Sequence, residues 1–143
     1  SVFKIFKNDP ASLAWYNLVL KNRGNPYVPV IKSKPIKVTG NVYFLRLEKL
    51  QFYNYQVQEN YADIIRYIAK LSVPYNSDKN IEQIENSHYY NDYDKDILTL
   101  LVNDQDFVSI LTQILQTNYH LDFHQGNIMF RKDQLVITDP ITG

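Results

Sequence analysis

His120-Leu-Asp-Phe-His-Gln-Gly-Asn127, followed after a short apolar hairpin by Thr138-Asp139-Pro140, is the stretch on which the reading of this chain turns. Asn127 to Phe130 and Leu135 to Thr138 are two β-prone runs, with Lys132 and Asp133 at the turn between them. A hairpin returns the chain to where it began, so Asn127 and Asp139 can meet at one point. Oxygen ligands brought together in this way suit magnesium bridging the phosphates of ATP. Asp122, just ahead of Asn127, suits the orientation and deprotonation of an attacking hydroxyl. Alone, an aspartate before proline is a turn residue and an asparagine is a strand-end hydrogen bonder. The three together, at these spacings, point to phosphoryl transfer.

Working outward, Ile97 to Val102 and Phe107 to Leu115 are apolar at helical spacing and predict one long core helix, interrupted or capped near Asn103 and Asp104. Asn76 to Asp96 is polar and crowded with Asn, Asp and Tyr, which predicts a surface excursion with a short helix at Ile81 to Ile84. Tyr61, Ile64, Ile65, Ile68 and Leu71 form one apolar helical face that Pro74 ends. Nearer the start, Asp9 and Pro10 supply a cap and a first-turn proline for a helix that Gly24 stops. Trp15 and Tyr16 are expected to pack on it. Val28 to Ile31 and Asn41 to Leu47 read as strands joined by a turn across Lys34 to Gly40. Val2 to Phe6 reads as a strand broken only by Lys4, entered with no turn before it, as expected of a chain whose first strands are missing.

At 143 residues and 45% hydrophobic content the chain can bury one core but not two independent ones, so a single folding unit is expected. The formal net charge is zero and no basic run offers the footprint that nucleic-acid binding needs, so nucleic acid is not an expected partner. Cysteine is absent, which rules out disulfides and thiolate metal sites. No apolar run approaches the ~18 residues of a membrane span, and the start lacks the layout of a signal peptide. The expectation is a soluble cytoplasmic protein with no membrane partner.

The segment at His120, Asp122 and Asn127 keeps the internal spacing H-x-D-x-x-x-x-N and resembles the catalytic loop of the protein-kinase superfamily, where a second Asp follows the next hairpin. Val2-Phe-Lys4-Ile5 resembles the strand carrying the ATP lysine. The order strand, helix, two strands, then Glu48-Lys49-Leu50 resembles a small lobe and hinge. The resemblance implies that Lys4 steadies the phosphates, that the backbone of Glu48 and Leu50 holds the adenine edge, and that Met129 floors the base. The match runs in order over nearly the whole chain for the early serine/threonine protein kinases of short-tailed bacteriophages. It includes Asp-x-His-x-Gly-Asn-Ile-Met-Phe at Asp122 to Phe130 and Ile-Thr-Asp-Pro at Ile137 to Pro140. That likeness implies a protein Ser/Thr acceptor, host bacterial proteins as partners, and a host cytoplasm.

The expected fold is therefore α+β, a minimal protein-kinase-like bilobal fold. Residues 1–47 form a partial small lobe without the glycine-rich strands, and 48–143 form the hinge and a helical large lobe. Ending at Gly143, the chain is expected to lack an activation segment and peptide-binding helices. Three departures from the family pattern bear on function. Asp139 opens Asp-Pro-Ile-Thr-Gly in place of Asp-Phe-Gly, and His124 stands where many protein kinases carry a lysine near the transferred phosphate. The first Glu of the chain is Glu48, beyond the small-lobe helix, so Lys4 needs another partner, Asp139 or the phosphates themselves. His124 is assigned to the catalytic group with Asp122, offsetting developing charge, and His120 to bracing the loop. His124 also favours a small-molecule kinase, similar to aminoglycoside and choline kinases, as the alternative. The missing Glu favours a pseudokinase binding module.

Overall fold

The computed structural model describes residues 1–7, 9–70 and 92–143, and its architecture mixes helix and sheet. Three antiparallel strands, β1 (Val2–Lys7), β2 (Ile36–Thr39) and β3 (Val42–Leu47), form one sheet in the order β1-β3-β2, with Lys4 opposite Leu45. Helix α1 (Pro10–Lys21) follows β1. It starts where Asp9, in extended backbone, accepts the Ser12 N–H, and it ends before Gly24, whose φ of +91° suits a residue without a Cβ. Its Ala11, Trp15, Tyr16 and Val19 are buried, Tyr16 tilted against Phe6 of β1.

The connector after α1 corrects one expectation. Val28 to Ile31 is not a strand; Ile31 alone forms an isolated bridge, to Leu47, and the second strand of the sheet is Ile36–Thr39. Pro26 and Pro29 have no N–H to give a ladder. The connector's carbonyls bond elsewhere instead: Pro26 O and Val28 O accept from Arg131, and Tyr27 O accepts from the Ile137 amide. The expected turn across Lys34 to Gly40 thereby shrinks to Gly40 and Asn41, where Gly40 takes φ +49°.

Helix α2 (Tyr55–Lys70) buries Ile64, Ile65 and Ile68 of the face its periodicity predicts, with Tyr61 partly buried, and also buries Ala62 and the polar Gln58. Leu71, Pro74 and the short helix expected at Ile81 to Ile84 lie outside the described residues. The polar excursion was expected to run to Asp96, but α3 (Asp92–Val102) begins before that point. The interruption expected near Asn103 and Asp104 is complete and makes two helices: α3 ends and α4 (Gln105–Gln116) begins at Asp104, whose carboxylate accepts the Asp106 and Phe107 amides. A cap that satisfies the new helix's first N–H groups makes the break stable. Phe107, Ile110, Leu111 and Ile114 of α4 are buried with Leu98 and Leu101 of α3.

The last segment sits on this helical layer. Strand β4 (His120–Leu121) leads into a 3₁₀ turn at Gln125–Asn127, then the hairpin β5 (Ile128–Arg131) and β6 (Gln134–Ile137), then β7 (Ile141–Thr142). β5 pairs with β6 in the register Ile128 to Ile137, with Lys132 at the turn at φ +55°. β7 pairs back with β4, and the Asp122 amide donates to Pro140 O at 2.7 Å. Among the described residues no helix is long and apolar enough to cross a membrane.

Candidate active site

β5 and β6 place Asn127 at one end of their ladder and Asp139 just beyond the other strand, where the Thr138 N–H donates to Asn127 O at 2.9 Å. Asp139 holds φ +44°, a left-handed backbone that Asp tolerates better than most residues, and this aims its carboxylate at the sheet. There Lys4 Nζ lies 2.5 Å from Asp139 Oδ2, both side chains somewhat over a third exposed. Lys4 reaches it because an even-numbered residue of β1 faces inward beside buried Phe6. Helix α1 adds the Tyr16 hydroxyl, which donates to Asp139 Oδ1 at 3.3 Å. Burial, then the Asp139 charge and the hydrogen bond to it, hold the Tyr16 phenol far above its ordinary pKa, so it is a permanent donor. Sequence reading assigned Tyr16 to packing; an aromatic at helical spacing carries no sign that its hydroxyl meets a residue 123 positions away.

A cavity of about 260 Å³ opens at this pair. Lys4, Glu48, Leu50, Met129 and Asp139 all line it, with Trp15, Tyr16 and Gly126. Its other walls are Val2, Pro29 and Leu47, all apolar, and Thr138, which fits a site that grips a flat hydrophobic group beside a charged one. Glu48 turns its side chain away: Oε2 accepts from Arg131 Nε at 2.9 Å, Oε1 from Arg131 Nη2, and Oε1 also from the Val30 amide at 2.9 Å. Burial raises the Glu48 pKa. The hydrogen bonds from Arg131 and Val30, with the charges of Arg131 and Lys32, outweigh that and leave it below its ordinary value. Among the described residues no backbone partner takes the Glu48 carbonyl or the Leu50 N–H, whereas the neighbouring Gln51 pairs both ways with Phe130. A larger cavity of about 380 Å³, lined by Pro29, Val19, Arg23 and Arg131 among others, contains none of the site residues predicted from sequence.

Asp122, His124 and Asn127 form a second cluster that adjoins this cavity through Gly126 and does not itself line it. Asn127 Nδ2 donates to Asp122 O at 2.8 Å and to Asp122 Oδ2 at 3.2 Å, and stands 3.1 Å from His124 Nε2. His124 Nδ1 accepts the Gly126 N–H at 3.0 Å, so in the neutral ring the proton sits on Nε2, which faces Asp122 Oδ1 at 3.6 Å. A Cβ at position 126 would stand 2.8 Å from His124 Cε1, so any larger residue there displaces the ring from this contact. His120 is exposed in β4 rather than tucked beneath the loop.

Among the described residues no three His, Cys, Asp or Glu side chains cluster to hold a metal. The donors present are the Asp139 carboxylate and, with Nδ2 turned to Asp122, the Asn127 side-chain oxygen. One carboxylate and one neutral oxygen suit a hard cation such as magnesium that keeps waters and takes phosphate oxygens as further ligands. They do not make a self-sufficient cage. Comparisons with models of known protein families, with curated proteins and with solved structures find no match for this chain.

Proposed function

We propose that this chain carries the nucleotide and catalytic site of an ATP-dependent serine/threonine protein kinase with a minimal bilobal fold, acting on host bacterial proteins in a host cytoplasm. The observation that supports it is that five residues selected from sequence alone, drawn from β1, the segment after β3, β5 and the turn after β6, line one cavity. Asp122 and Asn127 stand in contact beside it. The adenine edge would lie against the Glu48 carbonyl and Leu50 N–H over Met129, and Lys4 would leave Asp139 for the phosphates. Asp122 orients the acceptor hydroxyl and takes its proton as the oxygen bonds to the γ-phosphorus and the bond to the ADP oxygen breaks. His124 offsets charge developing on the transferred group. Magnesium held by Asn127 and Asp139 would neutralise the phosphates. His124 in contact with Asp122, where a protein kinase has a lysine, favours a small-molecule acceptor as the second reading.

Trp15 is the single tryptophan and lines the cavity, so its emission reports occupancy directly. MgATP is expected to change Trp15 fluorescence saturably, and Asp139→Ala to weaken that binding while abolishing transfer. Asp122→Asn should bind nearly as the parent and lose on the order of 100-fold in turnover. Full transfer by Asp122→Asn refutes the mechanism. Labelling from γ-labelled ATP of a bacterial lysate, beside a panel of sugars and aminoglycosides, separates the two acceptors.

A further inference from the structure

Gln58 is fully buried, and it lies on the apolar stripe of α2 that Ala62, Ile65 and Ile68 continue. A core position on a helix needs volume, and an apolar side chain supplies it without the cost of burying an amide. The neighbours of this amide explain its presence. Nε2 donates to Gln125 O at 2.8 Å and to Ile128 O at 2.5 Å, the two carbonyls on either side of the Gly126-Asn127 step. Oε1 accepts the Tyr53 amide at 2.8 Å, just after the segment that pairs with Phe130. Just over two turns further along α2, Arg66 Nη1 donates to Phe123 O, the carbonyl between Asp122 and His124, while Glu59 and Asp63 hold the guanidinium in place.

From this geometry we infer that Gln58 is a positioning residue. By fixing the carbonyls before and after Asn127 from a rigid helix, it sets where the Asn127 side chain meets Asp122, and Arg66 fixes the same loop two residues upstream. The inference rests on the functional reading above for its kinetic consequence, and on the geometry alone for its structural one. A hydrogen-bonded amide in a dry site holds its partners to a narrow range of positions, which a turn whose Asp122, His124 and Gln125 are only half-buried does not do by itself. None of the side-chain hydrogen-bond partners of Gln58, which are Tyr53, Gln125 and Ile128, lines the cavity, so its loss should spare nucleotide binding.

The test uses Gln58→Met, which keeps length and loses both donors, and Gln58→Glu, which keeps the acceptor for Tyr53 and turns oxygens on two carbonyls. Ile110→Val, a mild core change in α4, serves as the comparator for lost stability. Transfer from γ-labelled ATP to dephosphorylated casein is measured below the melting point of every variant. Both Gln58 variants are expected to lose at least 30-fold in kcat with KM for ATP within about twofold of the parent, while Ile110→Val keeps its kcat. A Gln58→Met kcat within threefold of the parent overturns the inference, as does a fall that Ile110→Val shares. A parent that transfers nothing sinks the kinase reading instead, and the inference is then decided by nitrogen-edited NMR of the Asn127 side-chain NH₂, a group Gln58 does not touch. Movement or broadening of that signal in Gln58→Met supports the positioning role; an unchanged signal overturns it.

Discussion

Replacing Arg131 with methionine would remove four hydrogen bonds made by one guanidinium: two to Glu48, one to Pro26 O and one to Val28 O. The pair is mostly shielded, with side-chain exposures of 32% and 13%. Exposed pairs couple by under about 1 kcal/mol, and breaking a fully buried pair costs about 3–5 kcal/mol. A fork geometry in this intermediate setting places the Arg131–Glu48 coupling near 2 kcal/mol. Arg131→Met alone should cost about 3 kcal/mol, because two connector carbonyls also lose their donor. The assay is urea unfolding of Arg131→Met, Glu48→Gln and the double variant. The folded-state pKa of Glu48 is depressed, so its contribution is complete above the unfolded value of about 4.3 and is lost as pH falls through the lower folded value. The gap between parent and Glu48→Gln should accordingly hold steady from neutral pH to about 5 and narrow as pH falls below the unfolded value. A coupling under about 0.5 kcal/mol, or a gap unchanged at pH 3, would refute the argument.

Gly126→Ala pushes a methyl group to 2.8 Å from the His124 ring and breaks the Nδ1 bond, so transfer should fall at least tenfold with ATP affinity held; unchanged activity would show that the ring has room to move. Tyr16 and Tyr27 are both held well above the ordinary tyrosine value, chiefly by burial, with Asp139 and Asp104 adding to it. Both should therefore stay un-ionised in an ultraviolet titration until the protein unfolds. Because the unfolded chain releases those protons first, stability should fall as pH rises above about 10, and Tyr16→Phe should reduce that slope.

Much of the site was legible because its signal is local. The separation of Asp122 from Asn127 and the hairpin up to Asp139 are short-range facts of the chain, and the Asp9-Pro10 start of α1 is a matter of adjacent residues. Tyr16 was missed because its role comes from a carboxylate at the far end of the sequence. Gln58 left a trace, a polar residue on the apolar stripe of α2, but a stripe says only that a position is buried and not that carbonyls wait there. Val28 to Ile31 misled for the opposite reason. Its residues favour strand, yet Val28 O is taken by Arg131, Val30 bonds Glu48 through both its N–H and its carbonyl, and Tyr27 O just before it goes to the Ile137 amide; no local pattern announces a partner about 100 residues on. The pairing of β4 with β7 was invisible for want of length, since two residues a side carry no periodicity.

The contact between Lys4 and Asp139 spans 135 positions, so the site is closed by an early strand and a late turn. On a ribosome working at roughly 5–20 residues per second, Lys4 has been made for about 7–27 s before Asp139 exists. Throughout that interval the growing chain lacks the Lys4–Asp139 contact, however well α1 and α2 have formed. The pair therefore closes in a single late event, and a nascent or prematurely terminated product that stops short of Asp139 cannot form it. Under the proposed function, the order of synthesis itself would keep unfinished molecules from transferring phosphate.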